Sequence, residues 1–407
     1  MHTRMNKEKI INILDKIIEW AFYILIAAVT FATSVVEICA ATIIIAYFLK
    51  KILQKDFSFP KHIFLAIFGI FILWNLVSFF NTDYFNESIR GVLKVIKYGL
   101  ILTISIDVFK TKNILKSLTY VLVIWSVIVA LDGIAQSILG FDILRLRTMD
   151  TLDYLHRISA CFRHANNFGA YLVVIIPVFL SFIFSNSINL RNKIYFFMGL
   201  LPLSFCLART SSRGAWLAAS LAVLILSFLK SKKLFIILIV LFIILPFILP
   251  QQMKARAFDV LNFHEGTGWE RLKLWGQALT MVREHPFLGF GVNTYTKNVP
   301  AFKSADYWNA IYPHNCYLQM AAEIGLIGLG LFLTFAILAF VYIGRCLKFL
   351  KEGWMRSVAV GLFAGLIGFL MHSAVDTHLY SPNLAVMFYF LLGFCIALCN
   401  YAKNNPA

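Results

Sequence analysis

The stretch that decides the fold is IIEWAFYILIAAVTFATSVVEICAATIIIAYFLK, residues 17–50. It is almost entirely apolar and too long for one membrane crossing, because about 20 apolar residues already span the bilayer. We divide it at Thr33–Ser34 into two predicted helices, 17–33 and 36–50. The stretch from Ile10 to Ile18 has helical spacing and is predicted to lie on the membrane surface before the first span.

The same pattern continues to the end of the chain. Of 407 residues, 60% are hydrophobic and 14% are charged, whereas soluble domains have about 45–50% apolar and about 25% charged residues. A soluble enzyme and a disordered chain are therefore excluded. We predict an all-α polytopic membrane protein of about 12 transmembrane helices, with residues 1–407 as a single integral membrane domain. The remaining predicted spans are 62–80, 90–109, 117–137, 167–185, 194–209, 213–229, 234–250, 316–344, 356–375 and 382–401.

The basic residues orient these spans. Lysine-rich short loops predict a cytoplasmic N-terminus by the positive-inside rule. The basic residues assigned to the other side are mostly arginines, whose planar guanidinium groups suit phosphate or carboxylate recognition. The outer arginines are Arg90, Arg145, Arg147, Arg157, Arg163, Arg209, Arg213, Arg256, Arg271 and Arg283. With a net charge of +17 on a membrane protein, anionic or phosphorylated lipids are better partners than nucleic acid.

Two outer segments are long, 138–166 and the large loop 251–315 between the ninth and tenth spans. In the large loop, Gly268 to Glu284 is predicted to form an amphipathic helix, with an apolar face of Leu272, Trp275, Leu279 and Val282. His285–Pro286 should end this helix, and Gly289–Phe290–Gly291 should form a turn.

Several charged residues near the outer edge are candidates for a site. Arg209 and Arg213 are four residues apart and share a face if the eighth span begins early; the alternative is snorkelling to the interface. Arg271 begins the loop helix and points either into a cleft or into solvent. Lys94 and Lys97 fall within an apolar run, where cations usually face a cavity or a partner; alternatively the helix begins later, near Tyr98.

His314 directly precedes Asn315, a good N-cap for the tenth span. A helix N-terminus disfavours imidazolium, so a neutral His314 could act as a general base; the alternative is packing on Tyr312 or Tyr317. Asp376 is interpreted as a carboxylate that orients a histidine or pairs with an arginine. His372 and His378 are expected on different helix faces, which argues against a metal site.

The missing motifs narrow the chemistry further. The sequence has no Walker A motif, no H-E-x-x-H, no D-x-D and no C-x-x-C pair, so nucleotide, zinc and other cofactors are not indicated. A reaction outside the membrane then needs a donor that is already activated there. A sugar on a lipid diphosphate meets this need, and outer arginines would hold its pyrophosphate.

At these residues the sequence resembles the O-antigen ligase/polymerase superfamily of bacterial inner-membrane proteins. The matching elements appear in family order around the outer loop. They are Phe162–Gly169, with His164–Ala165 where a proline often precedes the asparagine; Ser212–Arg213–Gly214; Arg271 with Trp275, Pro286, Leu288, Gly289 and Gly291; and His314–Asn315 with Tyr317, Leu318, Glu323, Gly325 and Gly328. The first 150 residues resemble the family only in hydropathy.

The resemblance implies a GT-C-like, inverting glycosyltransferase that needs neither a metal nor a cofactor. The enzyme would lie in the inner membrane, with its active site at the periplasmic face. In such ligases the residues matching Arg213 and Arg271 hold the diphosphate of an undecaprenyl-diphosphate-linked glycan. The residue matching His314 deprotonates an acceptor hydroxyl on lipid A–core. Arg163, Asn166, Arg209, Lys94, Lys97 and Asp376 are the further substrate-binding candidates.

The sequence is compatible with three functions. An O-antigen ligase is preferred because a protein-glycosylating member is expected to carry a larger outer domain. An O-antigen polymerase uses the same donor and is poorly separated from a ligase by sequence. A glycolipid flippase is disfavoured because transport places charged groups near the bilayer midplane, whereas here they lie at the outer edge.

Overall fold

The computed structural model describes residues 2–148, 157–248, 251, 266–302 and 311–405. Within these residues the regular structure is helical, apart from an isolated antiparallel bridge between Phe141 and Thr148. The all-α prediction is therefore confirmed. The helices are α1 (His2–Phe31), α2 (Thr33–Gln54), α3 (Ile63–Val77), α4 (Phe85–Val108), α5 (Lys112–Leu139), α6 (Ala165–Ile183), α7 (Leu190–Arg209), α8 (Arg213–Lys230), α9 (Lys232–Ile248), α10 (Gly266–Glu284), α11 (Tyr295–Asn298), α12 (Cys316–Cys346), α13 (Trp354–His372) and α14 (Pro382–Asn404).

Every predicted span falls on one of these helices, and the protein is a multi-pass membrane protein. In the described residues, seven helical stretches are long and apolar enough to cross a membrane, so the count of 12 spans stays a prediction. The seven stretches are Ile63–Asn81, Lys112–Leu139, Ala165–Ile183, Arg213–Lys230, Cys316–Cys346, Trp354–His372 and Pro382–Asn404.

The first two helices confirm one prediction and correct another. The chain breaks between Phe31 and Thr33, at the division predicted from length. The stretch expected to form a separate surface helix is instead the first half of α1, which runs without interruption to Phe31. No glycine or proline interrupts it, and Leu14 and Ile18 are buried, so packing extends the helix through this region.

A large apolar core joins most of the helices, and two smaller apolar clusters lie beside it. Helix α14 lies at its centre, almost wholly buried, and contacts α4, α13 and α1. Helix α6 packs along α13 and α8. Helices suit this setting because each satisfies its own backbone hydrogen bonds where water is absent. Apolar side chains that remain exposed, such as Trp20, Phe80 and Ile138, are expected to contact lipid.

Helix α12 is broken at Gly325, whose φ of 73° and ψ of 174° are not helical. The segment after α10 fills the break: Leu326 N–H donates to Pro286 O at 2.8 Å, and Gly291 N–H donates to Glu323 O at 2.8 Å. A Cβ on Gly325 would lie 1.8 Å from the carbonyl oxygen of Phe287. Only glycine fits here, so these motif positions serve the fold and anchor the outer loop to α12.

The loop helix α10 confirms the predicted helix, but its buried face agrees with the predicted one only at Val282, which is buried against α12. Leu272 and Leu279 are exposed, whereas Ala278 and Met281 are fully buried. These two residues pack with Ala321 and Ala322 of α12. A small residue lets the helices approach closely, so packing against α12 decided the face. Residues 252–265 and 303–310 of the predicted loop, including Arg256, lie outside the described residues.

Candidate functional site

His314 lies at the start of α12 and points toward a carboxylate. Its backbone has a left-handed φ of 49°, and Asn315 caps the helix by accepting from Tyr317 N–H and Leu318 N–H, both at 3.0 Å. His314 Nδ1 lies 3.1 Å from Asp376 Oδ1. The His314 side chain is 43% exposed, against 9% for Asp376, so the imidazole faces the exterior while its partner is buried.

Asp376 is held by donors on both oxygens. Thr377 N–H donates to Oδ1 at 2.8 Å, and Asn166 Nδ2 donates to Oδ2 at 2.6 Å. Burial raises the pKa of Asp376, but the hydrogen bond from His314 and the adjacent histidines act in the opposite direction and hold this pKa well below its usual range. An ionised carboxylate only accepts hydrogen bonds, so the proton of neutral His314 lies on Nδ1 and Nε2 is free to accept one.

A second layer fixes Asn166. Its side-chain oxygen accepts from Arg157 Nη2, and Arg157 Nε donates to Thr210 O at 2.7 Å. The motif Phe162–Gly169 predicts Asn166, whereas the sequence identifies Arg157 only as one of the outer arginines. Arg157 lies outside that motif, and its other partner, Thr210, is 53 residues away. The resulting chain of contacts, Arg157–Asn166–Asp376–His314, joins the stretch around the start of α6 to the start of α12 and to the turn after α13.

Cys316 ties α12 to the end of α13. Its N–H donates to Ser373 O at 2.9 Å, and its thiol lies 3.2 Å from Asp376 O.

Burial raises the pKa of the Cys161 thiol to about 12. Cys161 and Cys316 are both free and buried.

His314 and Asp376 open onto a cavity of about 840 Å³, which we call the reaction cavity. Its wall includes arginines from the segment between α5 and α6 and polar residues at the N-terminus of α6. Among the described residues that line it are Arg147, Arg157, Arg163, His164, Asn166, Asn167, Tyr312, His314, Asp376 and Tyr380. Its size and charge suit part of a saccharide bearing anionic groups.

His372 and His378 form a buried pair beside Asp376. Their ring centroids are 4.2 Å apart, so the expectation that they lie on different helix faces is wrong. Helix α13 ends at His372, and the following turn returns the chain onto it. The two histidines and Asp376 have ligand atoms within 4.8 Å of one another, yet both oxygens of Asp376 already accept hydrogen bonds, which fits a metal poorly.

Arg213 and Arg271 both lie near this histidine pair. Arg213 is the first residue of α8, and a Cβ on its neighbour Gly214 would lie 2.9 Å from His372 Cδ2. Burial lowers the pKa of His378, and the positive charge of Arg271 adds to this effect against the opposing charge of Asp376. The first turn of α8 therefore packs against His372, and Arg271 acts electrostatically on His378; neither arginine is among the described residues that line the reaction cavity.

The remaining candidates are spread more widely. Arg209 ends α7 and Arg213 begins α8, so the two do not share a helix face; Arg209 is exposed. Lys94 lies well inside α4, which begins at Phe85 rather than near Tyr98. It donates to Asn293 Oδ1 at 3.0 Å and lines a separate small cavity of about 80 Å³.

Lys97 forms an ion pair with Glu37 at 2.6 Å and lies outside the wall of the reaction cavity. The small cavity beside Lys94 also contains Glu323, whose carboxylate accepts from Asn293 N–H at 2.9 Å and Tyr295 N–H at 3.2 Å. Glu323 therefore supports the fold of the outer loop, a role that its motif alone did not reveal.

Comparison with known proteins agrees with the resemblance. Residues 196–333 match the model of the O-antigen ligase family, so the predicted relationship to this superfamily is confirmed. The chain is also similar to the ComP-specific O-oligosaccharyltransferase of Acinetobacter baylyi (strain ATCC 33305 / BD413 / ADP1), with 24% identity over 383 residues. That alignment covers 88% of this chain and 64% of the relative, so the chain spans somewhat less than two thirds of the relative's length.

Proposed function

Because residues 196–333 match the O-antigen ligase family, we propose that this protein transfers a glycan from undecaprenyl diphosphate to a hydroxyl group on lipid A–core, at the periplasmic face of the inner membrane. The observation that carries the proposal is the contact of His314 Nδ1 with Asp376 Oδ1 at 3.1 Å, at the wall of a cavity lined by arginines. A histidine oriented by a buried carboxylate is the arrangement expected of a general base.

The proposed reaction is a single displacement. His314 Nε2 takes the proton from the acceptor hydroxyl, whose oxygen attacks the anomeric carbon of the donor. The bond between that carbon and the diphosphate oxygen breaks, undecaprenyl diphosphate leaves, and the configuration inverts. Asp376 stabilises the imidazolium that forms, as a carboxylate does for a catalytic histidine.

Arg213 and Arg271 are proposed to hold the diphosphate and to stabilise the charge that develops on it as it leaves. Their support is the position of the first turn of α8 against His372 and the electrostatic effect of Arg271 on His378. No metal is required in this scheme, because two guanidinium groups supply the positive charge.

A second candidate acceptor is a hydroxyl group of a protein. The similarity to a protein named an O-oligosaccharyltransferase favours it, and the reaction at His314 would be the same. A polymerase, in which the acceptor is a second lipid-linked glycan, also fits this chemistry.

Deletion of the gene in its host separates these candidates. The lipopolysaccharide, the lipid-linked glycan pool and the glycosylated proteins are compared on gels before and after the deletion. Loss of all glycan from lipid A–core, with long polymers on the lipid carrier, supports the ligase. A single repeat that remains on the core indicates a polymerase, and loss of protein glycosylation alone indicates a protein acceptor. An unchanged result in all three contradicts the proposal, and His314→Ala should reproduce the deletion.

A further inference from the structure

Next to the reaction cavity lies a second cavity of about 580 Å³, which we call the arginine compartment. Arg145, Arg147 and Arg163 line it, together with hydroxyl-bearing residues such as Thr33 and Ser34. Among the described residues of its wall none is acidic. Arg145 and Arg163 are exposed, so their guanidinium groups are accessible to a ligand that enters this space.

The segment that presents Arg145 and Arg147 is held in place by buried carboxylates. Asp142 is fully buried and accepts from Arg145 N–H at 2.7 Å and Arg147 N–H at 3.2 Å. Asp132 accepts from Ile143 N–H at 2.7 Å and from Leu144 N–H at 3.0 Å. A backbone fixed in this way keeps the arginines in position before a ligand arrives, which lowers the entropic cost of binding.

Arg147 is the most constrained of the three arginines. Its Nη2 donates to Cys161 O at 2.9 Å and to Phe162 O at 2.6 Å, and its Nε lies 3.7 Å from Asp142 Oδ2. These contacts tie the arginine segment to the strip of chain that precedes α6. Arg147 therefore has a structural role, and Arg145 and Arg163 are the better candidates for contact with a ligand.

Helix ends at the wall of the compartment act in both directions. Helices α2 and α14 begin there, after Ala32 and Ser381, and helix α1 ends there, at Thr30 and Phe31. A helix N-terminus favours anions and a C-terminus disfavours them, and Pro382 at the start of α14 has no N–H to donate. The positive potential of the compartment therefore comes from its three arginines.

The two cavities are adjacent and share part of their walls. Arg147, Arg163, Asn167, Ser381 and Pro382 line both. A saccharide that reacts at His314 therefore lies beside two of the arginines of the compartment.

We propose that the arginine compartment binds a carboxylate or phosphate group on a sugar of the saccharide that reacts at His314. The proposal rests on the proposed function for the identity of the ligand as a saccharide. The anionic sugar belongs to the donor glycan or to the acceptor, and guanidinium groups recognise either anion with paired hydrogen bonds. The compartment thus selects acidic over neutral saccharides.

The first test measures binding by the purified full-length protein. The probes are a galacturonic acid hexasaccharide and a neutral maltohexaose, titrated against the wild type and the double variant Arg145→Gln/Arg163→Gln. We expect the acidic probe to bind at least tenfold tighter than the neutral one, and the double variant to lose most of this preference. Arg191→Gln, which changes an arginine at the start of α7 outside both cavities, is the matched control and should bind as the wild type does. Equal binding of both probes to the wild type, or an unchanged preference in the double variant, overturns the proposal.

The second test identifies which substrate carries the anion. Transfer is measured with lipid-linked donors that contain or lack an acidic sugar and with acceptors that carry or lack phosphate. The double variant should raise KM at least tenfold for the substrate that carries the anion and leave the other KM unchanged. Unchanged KM values for all substrates contradict the proposal.

The two proposals fail in different ways. His314→Ala should bind the acidic probe normally while transfer is lost. Normal transfer by His314→Ala would refute the proposed function without affecting the proposal on the arginine compartment. Normal transfer by the wild type together with equal binding of the acidic and neutral probes would refute the arginine compartment alone. The double variant Arg145→Lys/Arg163→Lys keeps both positive charges and should retain part of the preference for the acidic probe. Retention would show that the glutamine variant lost its preference through lost contacts and not through misfolding.

Discussion

Replacement of Asp376 by Asn tests whether this buried carboxylate acts through His314. In the wild type, Asp376 Oδ1 accepts from both His314 and Thr377 N–H, and Oδ2 accepts from Asn166. An asparagine has one oxygen and one NH2 group. If its oxygen keeps the first two donors, the NH2 group faces the NH2 group of Asn166, whose own oxygen is occupied by Arg157. Either orientation leaves two donors in conflict.

The size of the effect follows from the charge. At 3.1 Å, a full charge on Asp376 stabilises the imidazolium of His314 by about 5 kcal/mol with an effective dielectric constant of about 20. His314 is 43% exposed, so solvent screens part of this, and the amide dipole of asparagine replaces another part. A net loss of about 3–4 kcal/mol corresponds to a decrease in kcat of roughly 10²- to 10³-fold.

The assay is steady-state transfer by purified protein with a lipid-linked glycan donor and a lipid A–core acceptor. Asp376→Asn should lower kcat and leave KM nearly unchanged, because Asp376 acts on the reaction through His314. His314→Ala and the double variant should be equally inactive. Asp15→Asn, in the middle of α1 and outside both cavities, is the matched control. A loss of less than about threefold for Asp376→Asn, or a further loss when it is added to His314→Ala, would refute the reasoning.

Four other outcomes are expected. Arg213→Lys and Arg271→Lys should each lower transfer at least tenfold in the same assay, because lysine cannot form the bidentate contact; full activity with lysine would indicate snorkelling. Gly325→Ala should destabilise the protein by about 3 kcal/mol or more, seen as a lower Tm in detergent, because its Cβ would meet the carbonyl of Phe287; Gly330→Ala, where a Cβ meets nothing within 4 Å, is the control and should change Tm little. Treatment with EDTA should leave transfer unchanged. A loss of transfer that added divalent metal restores would indicate that the His372–Asp376–His378 cluster binds a metal. The pKa of Asp376 is depressed, so its ionised form stabilises the fold above about pH 4, and this contribution is lost as the pH falls through the folded-state pKa. On acidification the Tm of Asp376→Asn should therefore fall less than the Tm of the wild type. An equal fall in both proteins would contradict this assignment.

The positions of the helices were predictable because apolar length is a strong signal. Each predicted span falls on a helix, and the break near Thr33 follows from the limit on one crossing. The buried face of α10 was not predictable in the same way. Its apolar residues lie on more than one side of the helix. Contact with Ala321 and Ala322 of α12 buries Ala278 and Met281, whereas Leu272 stays exposed.

The candidate site was only partly predictable, for a related reason. His314, Asn166 and Asp376 each stood out locally, but their contacts join residues up to 210 positions apart. Two expectations failed because they assumed that a helix continued. The pairing of Arg209 with Arg213 required one helix through residue 212, and the separation of His372 from His378 required α13 to extend past its end. The residue at which a helix ends is only weakly encoded in the local sequence.

The family match and the structural site cover different parts of the chain, and this difference bears on the acceptor. The matched region, 196–333, contains Arg213, Arg271 and His314, which are the residues proposed to hold the diphosphate and to take the proton. Asn166, Asp376 and the arginine compartment lie outside it. Asn166 and Asp376 orient His314 and so serve the same reaction, whereas the arginine compartment is proposed to bind the anionic group of the substrate that carries it. Where the acceptor carries that group, relatives with different acceptors are expected to differ in charge around the positions of Arg145 and Arg163. An exchange of the segment 141–148 between this protein and such a relative should change which acceptor is used while the donor stays the same. Retention of the original acceptor after the exchange would mean that the selection is made elsewhere on the outer surface.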